Sequence, residues 1–143
     1  MMARPVHRFP FVRLVCVVAL GAALSGCKDE MCPAKPPPEP WKPHMSLIPG
    51  ETVVCGNNRG PQDNYPPTQL FVYFKGRNAA EAFDETKKKF EAAGWTMSDF
   101  RAYGEGSSKS WDGTFTKGGQ KIEVGINKND FGIQGSFKLD AKK

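Results

Sequence analysis

Histidine, long apolar runs and acidic residues near the amino terminus are what this 143-residue chain has least of. Its two histidines are His7 and His44, and His44 lies in a proline-dense stretch. No Ser-His-Asp or Cys-His arrangement can therefore form inside a domain that begins after it. The longest apolar run, Leu14 to Leu24, is too short to span a bilayer. A phosphate loop is missing too: in Gly104-Glu105-Gly106-Ser107-Ser108-Lys109-Ser110, Ser108 stands where the glycine before lysine is required, and strand periodicity follows. The nearest approach to acid-base machinery is Asp112 with Glu123 on the wet side of two strands, and exposed strand acids ordinarily serve solubility.

What is present begins at the amino terminus. Arg4, Arg8 and Arg13 precede the apolar run, no acidic residue occurs before Asp29, and the run closes at Leu24-Ser25-Gly26-Cys27 before a polar, proline-rich stretch. Basic start and short apolar run are the marks of a signal peptide. Leu-Ser-Gly-Cys resembles the lipobox of bacterial lipoproteins. That resemblance implies cleavage before Cys27, a diacylglyceryl group on its thiol and usually an acylated new amino terminus. Two or three acyl chains, at about 0.8 kcal/mol per buried methylene, make membrane retention stable where one does not. The alternatives are an ordinary secretory signal cut near Ala22 or Ala23, and a retained anchor helix with Cys27 a free thiol. Removing residues 1–26 takes three of the 20 Lys and Arg and none of the 15 Asp and Glu, so the net charge falls from +5 to +2. The basicity belongs largely to the signal, and it carries no argument for nucleic acid as a partner.

About 117 mature residues suffice for one small domain. Cys16 leaves with the signal and Cys27 is consumed by lipid, which leaves Cys32 and Cys55 as candidates for a disulfide. Cys32 pairing with another chain is the alternative. A metal site of Cys32, His44 and Cys55 matches no zinc spacing, so no metal or other cofactor is expected. Six prolines between Pro33 and Pro43 favour polyproline II, which predicts a semi-rigid stalk over residues 27–47. Trp41 is the one residue there suited to settle on a membrane interface or on the domain.

The domain is expected over residues 48–143. Thr52–Cys55 reads as a short strand, and residues 56–67 as a turn-rich loop. Residues 69–75 follow as a strand with Leu70, Val72 and Phe74 on one face. A single helix runs from a cap at Asn78, with Glu81 in capping-box position, to a stop at Gly94. Its apolar stripe is Ala79, Ala82, Phe83, Thr86, Phe90 and Ala93; Asp84 and Glu85 precede Lys88 and Lys89 by four residues. The period then changes to two. Trp111, Gly113 and Phe115, then Ile122, Val124 and Ile126, then Phe131, Ile133, Phe137 and Leu139 form one apolar face. Gly118-Gly119 and Asn127–Asp130 are the turns between them. The opposite sides are polar. The predicted fold is α+β: an antiparallel sheet of four to five strands in β-α-β-β-β order, with the helix packed on one face. The order of elements over residues 48–139 resembles small domains of uncharacterised envelope lipoproteins of myxobacterial and actinobacterial type, a resemblance that brings no active site.

The function expected is therefore a non-enzymatic, lipid-anchored module of the cell envelope, outer membrane by preference. It would bind another envelope protein, peptidoglycan or a surface polymer through its wet sheet face or the loop at 56–67. The alternative is a small-ligand binder with a pocket between helix and sheet lined by Trp95, Trp111 and Tyr73.

Overall fold

The computed structural model describes residues 34–55 and 66–140. Cys27, Cys32 and most of the loop expected at 56–67 lie outside them. Six strands form one antiparallel sheet: β1 (Thr52–Cys55), β2 (Gln69–Phe74), β3 (Thr96–Tyr103), β4 (Ser110–Lys117), β5 (Gln120–Asn129) and β6 (Gly132–Leu139). Their spatial order is β1-β2-β6-β5-β4-β3. Helix α1 (Ala79–Ala92) joins β2 to β3 and packs across one face. The α+β class and the single covering helix stand, but the expected four to five strands become six. The four-residue β1 takes a full place beside β2, Thr52 pairing with Phe74 and Cys55 with Phe71, and four strands instead of three follow the helix, so the expected β-α-β-β-β order becomes β-β-α-β-β-β-β.

The local reasons are legible residue by residue. Asn78 Oδ1 accepts from the Glu81 N–H at 2.9 Å while Glu81 Oε2 accepts from the Asn78 N–H at 3.0 Å, closing the capping box. At the other end Gly94 takes φ +82° and its N–H donates to Glu91 O. Gly118 and Gly119, at φ +54° and +75°, supply the two left-handed positions that a tight β4–β5 turn needs.

The helix buries Ala79, Ala82, Phe83, Thr86 and Phe90 against Leu70, Val72, Phe115, Ile122, Val124, Ile126 and Phe137 of the sheet. Phe90 and Phe115 are central, their rings 4.5 Å apart. Thr86, the one buried polar residue among those described, donates to Ala82 O at 2.7 Å and so leaves no unmet donor. Gly135 lies under Phe74 and Phe137, where a Cβ would come within 2.7 and 2.8 Å of their rings.

Three local expectations are corrected. The stalk does not extend to residue 47: Glu39–Leu47 is a 3₁₀ helix lying on the domain, with Trp41 and Leu47 buried. Proline's fixed φ suits a 3₁₀ turn, Pro40 sits in the first turn where an N–H needs no partner, and burying an indole outweighs the extended preference. Trp41 Nε1 donates to Thr68 O at 3.0 Å, and its ring meets Phe137 edge-on. Second, β5 runs to Asn129, so the turn expected at 127–130 shifts outward and leaves Phe131 half-exposed at the hairpin tip, off the apolar face. Third, Lys88 pairs with Asp84 as expected at 2.6 Å, but Glu85 turns to Arg77 (2.6 Å), and Lys89 Nζ donates to Ser46 O.

Candidate functional site

Strand alternation decides which side chains the helix covers. The intervening positions face the other way, and the cross-strand register gathers them into two rows. One row runs Arg101, Asp112, Gly125, Ser136, Phe71 from β3 through β4, β5 and β6 to β2. Beside it runs Asp99, Thr114, Glu123, Lys138, Gln69 over the same strands. Lys121, opposite Thr116, adds a further cation. This face holds an open groove of about 550 Å³ lined by both rows, Phe71 excepted, and by Lys121. Gly125 leaves the middle of the floor bare.

Of the six charged side chains lining the groove, five lie beside an opposite charge, and Asp112 is hydrogen-bonded to Tyr103. Lys121 Nζ lies 2.6 Å from Glu123 Oε1, with Lys138 Nζ 3.8 Å from Oε2, and Arg101 Nη2 is 3.3 Å from Asp99 Oδ2. The Lys121 ammonium bonded to Glu123 holds that carboxyl below its ordinary range, and the same contact raises the Lys121 pKa. A hydrogen bond to Asp112 raises the pKa of the Tyr103 phenol. Gln69 Oε1 is buried and has no hydrogen-bond partner among the described residues. The surface thus offers hydroxyls, a carboxamide and neutralised charges, an arrangement suited to holding a polar ligand.

Asp112 and Glu123 do share this face, but Asp112 opposes Gly125 and Glu123 opposes Thr114, so each carboxylate has its own neighbours. His44 is on the other face, its ring edge-on to Trp41 (6.1 Å) and Trp95 (6.0 Å), and burial lowers its pKa. Among the described residues no group of three or more His, Cys, Asp or Glu is placed to hold a metal ion. No described helix is long and apolar enough to cross a membrane.

The pocket expected from Trp95, Trp111 and Tyr73 is not assembled. Trp95 is buried against Phe90, Trp111 stacks on Phe83, and Tyr73 points to the open face, where Asn129 Nδ2 donates to its hydroxyl. A smaller recess of about 260 Å³ opens instead at the start of α1, between Ala79, Ala80, Trp111, Lys128 and Ile133. Lys109 Nζ sits 4.6 Å from the Trp111 ring centre beside it.

Of the sequence-marked cysteines, Cys55 is buried and disulfide-bonded, its partner lying outside the described residues. Ala34 forms a β-bridge with Cys55, and the Lys35 N–H donates to Val54 O at 2.9 Å. The groove's two rows were half legible: alternation marks Thr114, Glu123, Ser136 and Lys138 as wet, but Gln69, Phe71, Asp99 and Arg101 join them only through the strand order. No family model, no curated protein and no solved structure matches this chain.

Proposed function

We propose that the chain is a lipid-anchored module of a bacterial cell envelope, held by acylated Cys27, that binds a neutral, polar envelope component on its open sheet face. The observation that carries the binding reading is the groove itself: polar side chains from five strands around the bare Gly125, on the face the helix leaves uncovered. Paired charges favour a ligand rich in hydroxyl and amide groups, as in peptidoglycan or a surface polymer, over a polyanion.

The disulfide at Cys55 supports export to an oxidising compartment. Cys32 is the proposed partner, since Ala34, two residues beyond it, already lies against Cys55. With residues 34–47 laid on the domain, the tether from Cys27 to Ala34 reaches at most about 25 Å. The groove then works close to the headgroups.

Cosedimentation of the purified full chain with cell-wall sacculi tests the binding reading. Gly125→Val, which fills the groove floor, should weaken retention at least tenfold; equal retention of variant and parent rejects it. Peptide mass tests the anchor: a diacylglyceryl-sized increment on a peptide starting at Cys27 is expected, and its absence removes the tether. A second reading, small-ligand binding, has the recess beside Trp111 in its favour; a saturable change in Trp fluorescence with apolar ligands, abolished in Trp111→Phe, would select it.

A further inference from the structure

The sheet has two edges, and they are finished differently. At β1 the edge is taken up by the chain's own residues 34 and 35. At β3 every residue but Met97 is exposed, over eight positions. A strand of that length with no neighbouring strand on one side among the described residues is a template for another strand. Phe100, 45% exposed, stands on the helix side of this edge with its ring 5.5 Å from Phe83 and 6.2 Å from Trp111. Its N–H donates to Asp99 Oδ1 at 2.9 Å, so it points away from β4 and is capped by its own neighbour.

We propose that β3 pairs antiparallel with β3 of a second copy of this chain, about a two-fold axis at Phe100. Charge selects both partner and register. With Phe100 opposite itself, Asp99 of each copy faces Arg101 of the other, giving two opposite-charge pairs on the open face. Moving the axis to Arg101 would set two guanidinium groups against each other. On pairing, the Phe100 N–H passes from the Asp99 carboxylate to the Phe100 carbonyl of the second copy, and the freed carboxylate turns to the facing guanidinium. The two phenyl rings meet on the helix side and cover each other's exposed area. In the monomer the Asp99 carboxylate caps the Phe100 N–H; in the dimer six strands become twelve. An isologous contact of this kind closes on itself and does not propagate. It is smaller than a stable soluble dimer ordinarily needs, so a shared membrane, on the reading above, raises the effective concentration that populates it.

The test is oxidative cross-linking of the full chain in membranes, with the dimer formed by the unsubstituted chain as background. Phe100→Cys should cross-link at least tenfold faster than Arg101→Cys, because only position 100 opposes itself. In the Phe100→Cys background, Asp99→Arg alone should slow the reaction about tenfold, and adding Arg101→Asp should restore it to within twofold. Equal rates for the two cysteine positions, no rescue by the charge exchange, or cross-links of Phe100→Cys to a different protein would each overturn the proposal.

Discussion

On the helix side of the sheet, Leu70, Val72, Phe115, Ile122, Val124, Ile126 and Phe137 are buried. One residue along the same strands, Phe71, Thr114, Glu123 and Ser136 are only half-buried. The backbone, hydrogen bonds and neighbours in sequence are shared, so what differs is the cover that α1 and the Glu39–Leu47 segment provide. Stability is concentrated on one side of a single layer, and the other side is free to carry recognition without unfolding the domain when it varies.

The largest effects should come from breaking the covered side. Phe115→Ala removes a fully buried ring packed against Phe90, at a cost of about 3–5 kcal/mol in denaturant unfolding. Thr114→Ala, its neighbour on the open side, should stay within about 0.5 kcal/mol. Trp41→Ala belongs with Phe115: it should cost about 3–5 kcal/mol, whereas a true stalk residue would cost nothing measurable.

Two glycines sharpen the contrast because the substitution is the same. A Cβ at Gly135 would press into Phe74 and Phe137 within the packed layer, so Gly135→Ala should destabilise by about 1–3 kcal/mol. At Gly125 the Cβ would meet only Asp112 Oδ1, at 3.2 Å, the end of a side chain that can swing away. Gly125→Ala should leave the unfolding midpoint nearly unchanged.

Period, caps and turns carried most of the fold in advance. The helix stripe, the Asn78–Glu81 box, the paired glycines and the alternating strands are local features, set by contacts within a few residues. What escaped was long-range. Trp41 is buried because Thr68 and Phe137, distant in sequence, offer a carbonyl and a ring at the right place, and proline density alone reads as a spacer. Gln69 and Arg101 share a groove because the strand order sets β2 beside β6 and β3 beside β4. Tyr73 could not join a pocket with Trp95, because the alternation that turns Leu70, Val72 and Phe74 toward the helix turns Tyr73 to the open face.

The two faces should also differ in their response to acid. His44, between Trp41 and Trp95, has a folded pKa below its ordinary value because burial disfavours the charged ring. The unfolded chain therefore binds the proton first, and stability falls as pH drops below about 6.5 until the folded pKa is passed. In His44→Phe that portion of the pH dependence should vanish, as followed by thermal unfolding between pH 7 and 5. The open face responds lower and less. Glu123, its carboxyl depressed by Lys121, adds stability above the ordinary carboxylate pKa of about 4.3 and loses it as pH falls through the lower folded value. Its side chain is 45% exposed, so solvent screens most of that gain. Glu123→Gln at pH 7 should shift the midpoint by no more than about 2 °C. A larger loss would mean that the Lys121–Glu123–Lys138 cluster holds the sheet together, and that recognition and stability are not divided between the faces.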